Sequence, residues 1–365
     1  MNNIAKNSPP SEGAGISGLH LNLPSNLHIR RILVMKWSAL GDLVISTAMF
    51  SDIRRAFPDA VIDLQTLPSF AELFANDQRF NHVHAVDTRK KMGLWRWLKF
   101  VRDKSYDLVF DFQSNDRSQI FMVLWFLSGR APRWRVGNHM RFPYNVAADA
   151  ARGCLHAFDL QRETLKAAGV PVVASRPRLY HHSDNQVNAD ALMASHGLVA
   201  RKFAVFFPGS QIRGLLKRWG SERYANLAGV LKAGGVEKIV LLGGPDDEQE
   251  CLEIKNRCSE DWLVNLCGQT KVLDLIPLCD AAQLIVANDT GPAHVASSTP
   301  SPTPMVVICG PTDPRRVKPV GDNVVALQAN LDCINCYGKE CSHHSCMRMI
   351  TAEMVVDKLK NLGVF

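Results

Sequence analysis

Residues 288–297 read Asn288-Asp289-Thr290-Gly291-Pro292-Ala293-His294-Val295-Ala296-Ser297. They place a carboxylate, a hydroxyl and an imidazole on what reads as the opening of a helix, directly after the buried-strand run Leu284-Ile285-Val286-Ala287. A Gly-Pro turn at that point is expected to leave several backbone N–H groups unpaired above the strand's end. With the positive end of the helix dipole, that makes an anion cradle. Such a set suits a ligand carrying both phosphates and sugar hydroxyls.

Three further constellations follow strand-like runs in the same way. Lys36-Trp37-Ser38-Ala39-Leu40-Gly41-Asp42-Leu43 puts a tight turn at Gly41 and a carboxylate, Asp42, in the first turn of a helix. Asp42 could serve as a helix-terminal cap or as a general base facing a cleft, and spacing alone does not separate the two. Phe207-Pro208-Gly209-Ser210, followed by Lys217-Arg218-Trp219, has the form of a diphosphate site, or of an exposed basic loop. Leu241-Leu242-Gly243-Gly244-Pro245-Asp246-Asp247-Glu248 ends a strand in a glycine turn. Its carboxylates could bond ribose hydroxyls or simply complement a helix dipole. The chain has no GxGxxG after a strand, which argues against a dinucleotide redox enzyme.

A fourth cluster has a different character. Cys333-x2-Cys336-x4-Cys341-x4-Cys346 has the spacing of a metal site, and His343 and His344 lie within it. Closed four-thiolate sites are usually structural zinc, with iron the alternative. The spacing also echoes a zinc knuckle of RNA-binding proteins, with Tyr337 and Lys339 between the cysteines. Four reduced thiols without metal is the remaining reading.

The elements that must position these groups are legible as two strand–helix alternations. Strand candidates fall at 32–35, 61–67, 82–86, 108–112 and 134–136, then at 203–207, 238–242, 263–266, 284–287, 305–308 and 324–327. Their unbroken Val, Ile, Leu and Phe content predicts strands covered on both faces, as in parallel sheets. Leu40, Leu43, Val44, Thr47, Phe50, Ile53 and Phe57 recur at helical spacing, as do Tyr224, Leu227, Ala228 and Leu231. A last helix is expected at about 351–362. The pattern predicts two Rossmann-like, doubly wound α/β domains facing across a cleft at the carboxyl ends of both sheets.

With 365 residues the chain can bury two cores, and a 21% charged, 46% hydrophobic composition is that of a soluble α/β protein. Its net charge of +7 points to an anionic partner without choosing among nucleic acid, a membrane surface and a phosphorylated sugar. Residues 1–27 lack the apolar core of a signal peptide and read as a flexible lead-in. The longest apolar run, 120–127, is too short to cross a bilayer and is expected to be a buried helix, with a face that touches lipid as the alternative. Ten cysteines in a chain of this size, without an export signal, fit a reducing cytoplasm.

Taken in order, the motifs WSALGD, FPGS…KRW, LLGGPDDE, ANDTGPAHVA and CGPTDP resemble those of glycosyltransferase family 9, the ADP-heptose:lipopolysaccharide heptosyltransferases. The likeness runs from about Arg31 to the C-terminus, DTGPAH and GPTDP are its most specific parts, and residues 106–113 look like the family's central N-domain strand. The resemblance implies a GT-B fold, with residues 28–185 binding the acceptor and residues 186–365 binding the nucleotide sugar. It implies inversion at the anomeric centre and no metal in catalysis. By position Asp42 matches the family's base. Lys217 and Ser210 match residues near the diphosphate and sugar, and Asp289, Thr290, Gly291 and His294 match the donor motif. Asp247 stands where the family usually has a ribose-binding glutamate, with Glu248 beside it. Arg89, Lys90, Lys91 and Arg117 are candidates to hold an anionic, lipid-linked saccharide, or are a solvated basic face. The resemblance favours a structural role for the cysteine cluster. It also favours a cytoplasmic enzyme in peripheral contact with the inner membrane, with no nucleic-acid partner. Two alternatives are a GT-B transferase using another nucleotide sugar and, further off, a zinc-knuckle nucleic-acid-binding protein.

Overall fold

The computed structural model describes residues 28–90, 92–138, 141–147, 156–258 and 260–364. The expected lead-in at 1–27, Lys91 and Cys154 lie outside the described residues.

In the first half, β1 (Arg31–Met35), β2 (Val61–Thr66), β3 (His82–Ala85), β4 (Leu108–Asp111) and β5 (Trp134–Gly137) pair in parallel in the order β3-β2-β1-β4-β5. The helices are α1 (Leu40–Ala56), α2 (Pro68–Ala71), α3 (Gly93–Arg102), α4 (Asp116–Leu127) and α5 (Ala157–Ala167). The second half opens with α6 (Ser183–Ser195). Its strands are β6 (Phe203–Phe207), β7 (Lys238–Leu241), β8 (Leu263–Asn265), β9 (Leu284–Asn288), β10 (Met305–Ile308) and β11 (Val324–Leu327), all parallel in the order β11-β10-β9-β6-β7-β8. Between and after them come α7 (Ser221–Ala233), α8 (Glu248–Arg257), α9 (Leu275–Ala281), α10 (Gly291–Ser297), α11 (Pro314–Val317), α12 (Ser345–Arg348) and α13 (Ala352–Asn361). The last of these packs on α7, β10 and β11 of its own half.

Central strands lie between helical layers, so both of their faces are apolar and their residues are buried from end to end, as in β4, β6 and β9. Each fully buried Val, Leu, Ile or Phe there stabilises the fold by about 1.5–3 kcal/mol over leaving it exposed. Strand order reverses between β1 and β4 in one sheet and between β6 and β9 in the other. At such a reversal the outgoing connections diverge to opposite faces and open a crevice at the strands' carboxyl ends. The turns after β1, β6 and β9 are those that carry WSALGD, FPGS and NDTGPAH.

The halves meet through α1 and α10. A Cβ added at Gly41 would lie 2.7 Å from His294 Cδ2, and one at Gly291 would lie 3.1 Å from Leu40 Cδ2, so both glycines are contact points between the two halves. Arg176 and Arg178 reach the Thr299 carbonyl at 2.6 and 2.8 Å, and the Asp52 carboxylate accepts from the backbone of Val173 and Ala174. The connecting segment is thereby tied to both halves.

The run 120–127 departs from expectation. It is helical, but only Phe121, Met122 and Trp125 are buried, while Ile120 and Leu127 are 55% and 69% exposed. An all-apolar helix run covers both faces of the helix, and the sheet can bury only one of them.

Candidate active site

The cleft between the sheets holds a cavity of about 290 Å³. From the first half it is lined by Ala39, Leu40, Gly41 and Asp42; from the second, Ser210, Lys217, Asp289, Thr290, Gly291 and His294 all reach it. Of the residues singled out in the sequence, those from WSALGD, FPGS…K and DTGPAH therefore converge.

Asp42 both caps its helix and lines the cavity. As the third residue of α1 its Oδ2 accepts from the Ala39 N–H at 3.3 Å, and the same carboxylate faces the cavity. Behind it, Lys36 at the end of β1 is buried and donates to the Phe112 carbonyl at 3.2 Å. Burial pulls the Lys36 ammonium below the ordinary lysine range against the opposing pull of the Asp42 and Asp111 carboxylates.

Opposite Asp42, Lys217 Nζ lies 2.7 Å from Asp289 Oδ2, which also accepts from Thr312 Oγ1 at 2.9 Å. Asp289 is almost wholly buried, so it orients the lysine and takes up part of its charge. His294 is buried too, and burial lowers its pKa to about 4 despite the nearby carboxylates of Asp289 and Asp42. The ring is neutral at pH 7, and its Nδ1 has no hydrogen-bond partner among the described residues.

The anion cradle is narrower than expected. The N–H of Asp289 is spent on the Ile308 carbonyl and that of Ala293 on Thr290, while Pro292 has none. The Thr290 and Gly291 N–H groups remain without a backbone acceptor among the described residues.

A family model described as glycosyltransferase family 9 (heptosyltransferase) matches residues 94–347. The chain belongs to glycosyltransferase family 9. Lipopolysaccharide heptosyltransferase 2 of Salmonella typhimurium strain LT2 is 26% identical over 355 residues, covering 91% of this chain and 98% of that protein. The structure of the glycosyl transferase family 9 protein from Veillonella parvula DSM 2008 superposes with a TM-score of 0.76 at 22% identity, covering 91% of this chain and 97% of that one. For E. coli heptosyltransferase WaaC with ADP the TM-score is 0.68 at 20% identity, over 91% and 99% of the two chains. The fold is the GT-B type, two Rossmann-like domains across a cleft, and the protein is a glycosyltransferase of the lipopolysaccharide heptosyltransferase kind.

Other family-motif residues stand apart from the cavity. Asp247 is turned inward: its Oδ2 accepts from the Gly244 N–H at 3.0 Å, Arg218 is 3.4 Å from Oδ1, and a side chain at Gly209 would collide with it. It braces the GGPDD turn against the FPGS turn. Glu248 is exposed and passes close to Gly268. Arg89, Lys90 and Arg117 are exposed on loops or a helix start at the same carboxyl edge as Asp42, outside the cavity, and Arg89 is 3.4 Å from Asp87.

Sequence reasoning missed two residues. Arg316, in α11 just after GPTDP, lines the cavity and makes no ion pair among the described residues. Its place was open to inference, since GPTDP ends a strand at the same sheet edge as DTGPAH. Asn288 is fully buried: its amide nitrogen donates to the Pro208 and Gly209 carbonyls, and its oxygen accepts from the Trp219 N–H and the Tyr224 hydroxyl. One side chain thus fixes the FPGS turn and the KRW segment relative to DTGPAH.

The four thiols expected to hold a metal are not drawn into one closed set among the described residues, although Cys336, Cys341 and Cys333 lie near enough to Cys346 to add to burial in raising its pKa. Among the described residues, the one group of three or more His, Cys, Asp or Glu side chains whose ligand atoms all lie within 4.8 Å of one another is Asp63, His82 and His84. Cys333, Cys336 and Cys341 are exposed and Cys346 is buried, without meeting that spacing. As placed, the thiols do not fit a closed tetrahedral site. Other bonds hold the loop: Gln328 to Asn335 at 2.9 Å, the Asp313 N–H to the Tyr337 hydroxyl at 3.2 Å, and His344 Nε2 to the Leu216 carbonyl at 2.7 Å. The Asp63 group is no ready cation site either, because Arg31, Lys104 and Tyr106 already bond that buried carboxylate.

Proposed function

We propose that the enzyme moves a heptose from ADP-heptose to a lipopolysaccharide-core saccharide by a single inverting displacement. The observation that carries this reading is the convergence of Asp42 from one half with Lys217, Asp289 and His294 from the other on one cavity. In this reading the first half holds the acceptor and the second half, from α6 at Ser183 on, holds the donor; the boundary expected at 185/186 falls inside that helix.

The Asp42 carboxylate takes the proton of the acceptor hydroxyl as its oxygen attacks the anomeric carbon from the face opposite the nucleotide. The bond between that carbon and the diphosphate oxygen breaks, and its electron pair leaves with ADP. Lys217, with Arg316 and the Thr290 and Gly291 N–H groups, offsets the charge that grows on the diphosphate. His294, neutral and packed on Gly41, shapes the floor where the halves meet. Glu248, rather than the inward-turned Asp247, is the carboxylate free to bond ribose hydroxyls. Ser210, whose hydroxyl donates to the Gly214 carbonyl at 2.8 Å, keeps the FPGS turn shaped for the sugar and diphosphate. Arg89, Lys90 and Arg117, exposed at the carboxyl edge of the first sheet, hold anionic groups of the acceptor, a role the sequence also assigns to Lys91. The acceptor is lipid-linked, and the enzyme works at the cytoplasmic face of the inner membrane. Among the described residues no helix is long and apolar enough to cross a membrane.

Thermal unfolding with ADP, UDP, GDP, dTDP and CMP tests the donor assignment. A nucleotide at about a thousand times its Kd adds roughly 4 kcal/mol of stability, enough to raise the midpoint by several degrees. A rise confined to ADP is expected. A rise confined to another nucleotide would replace the donor while keeping the mechanism.

A further inference from the structure

Beyond its first turn, which carries the exposed Asp116 and Arg117, the outward face of α4 is apolar. Ile120, Val123, Leu124 and Leu127 follow one another at helical spacing on the side opposite the buried Phe121, Met122 and Trp125. Beside the stripe, the exposed rings of Phe126 and Phe142 pack edge to face at 5.1 Å. The neighbouring α3 lies on the same side of the sheet, joined to α4 by Trp97 against Phe121 and Trp125 at 5.3 Å each. With Trp97 and Val101 buried, the outer face of α3 shows Trp95, 68% exposed, among Arg96, Lys99 and Arg102.

We propose that this joint face of α3 and α4 is the surface by which the enzyme docks on a bilayer containing anionic lipid. An apolar stripe beside a cationic one that carries an exposed tryptophan suits the boundary between acyl chains and headgroups. Charge selects this occupant over a second copy of the chain. Arg96, Lys99, Arg102 and Arg117 outnumber the nearby Asp103 and Asp116, and Arg102 already engages Asp103 at 3.1 Å. A two-fold contact through the same patch would set these cations against their own copies, whereas anionic headgroups would attract them.

Location supplies the functional sense. Both helices run back from the carboxyl edge of the sheet, so their first turns border the edge where Asp42 faces the cleft. Docked by this face, the enzyme holds the cleft mouth beside the lipid headgroups and meets its acceptor by motion along the membrane. This deepens the proposed function and rests on its lipid-linked acceptor.

Sedimentation with vesicles of phosphatidylcholine alone, and of phosphatidylcholine with phosphatidylglycerol, tests the surface. The full chain is compared with two variants, Ile120→Ser combined with Leu127→Ser, and Arg96→Glu combined with Lys99→Glu. The wild type is expected to partition to the anionic vesicles on the order of tenfold better than to the neutral ones, and each variant to lose about tenfold or more of that binding. Heptose transfer to a water-soluble, acyl-free core saccharide is expected to stay unchanged in both variants, which also reports that they fold. The proposal is overturned if the wild type ignores anionic vesicles or if the variants bind like the wild type. It is equally overturned if ultracentrifugation finds a dimer that Ile120→Ser with Leu127→Ser dissolves. Vesicle binding that follows the expected pattern, with no heptose transfer by the wild type, would remove the proposed reaction and leave the surface standing.

Discussion

Replacing Gly41 by alanine tests whether the contact between the halves sets the catalytic geometry. The added Cβ would sit 2.7 Å from His294 Cδ2, 3.0 Å from Nε2 and 3.1 Å from Cγ. Carbon atoms are comfortable at about 3.5–4.0 Å, so α1 and α10 must part by roughly 1 Å or the ring must turn. The ring is buried, which leaves separation as the easier response. Overpacking of this kind costs about 1–3 kcal/mol, of which alanine's better helix propensity returns up to about 1. The net loss of stability is therefore small, on the order of 1 kcal/mol. Activity should suffer far more, because Asp42 is the next residue and a misplacement of about 1 Å costs on the order of a hundredfold in rate. The assay is ADP release from ADP-heptose in the presence of core saccharide, with midpoints of unfolding measured alongside. Adding His294→Ala opens space for the new methyl group, so Gly41→Ala should cost much less in that background, a coupling that a double-mutant cycle reads directly. A Gly41→Ala enzyme with kcat within about threefold of wild type would show that this contact does not set the catalytic geometry, as would equal effects of Gly41→Ala in both backgrounds.

Two other outcomes follow from the same geometry. Burial holds His294 neutral down to a pKa of about 4, below its ordinary 6.5, so the unfolded chain binds the extra proton first as pH falls. His294 therefore contributes stability that is intact above about pH 6.5 and is lost between there and about pH 4, up to roughly 3 kcal/mol; unfolding midpoints of His294→Phe should flatten over that window. Cys333, Cys336 and Cys341 are exposed, so all three should react quickly with a thiol reagent in the native protein, and chelation should leave the unfolding midpoint unchanged. Slow thiols together with one retained zinc per chain would contradict the placement of that loop.

Much of the fold was legible because the central strands are covered on both faces. A continuous apolar run such as Phe203 to Phe207 has no other use in a chain of alternating strands and helices. The motif residues were legible because the turns that carry them end those strands at the points where strand order reverses. What failed to show was which side of an element meets solvent and which distant group a polar side chain finds. The run 120–127 is apolar all round, so its exposed stripe became visible only once the sheet occupied the other side. Asp247 and Glu248 are neighbours of the same charge; that Asp247 turns in toward Gly209 depends on a turn nearly forty positions away. Asn288 bonds partners about seventy to eighty residues distant, and its neighbours in sequence give no sign of it. The cysteine spacing permits a metal site and does bring Cys333, Cys336 and Cys341 near Cys346, but spacing alone does not close the ligand set.

The central claim is that Asp42 removes the acceptor's proton across the cleft from a donor bound by the other half. Asp42→Asn keeps an oxygen for the Ala39 N–H that caps α1 and removes only the basicity. With ADP-heptose and core saccharide, kcat of Asp42→Asn should be lower by about a hundredfold to ten-thousandfold. ADP should still raise the unfolding midpoint as it does in wild type. Turnover by Asp42→Asn at the wild-type rate, with the fold and ADP binding intact, would mean that Asp42 is not the base.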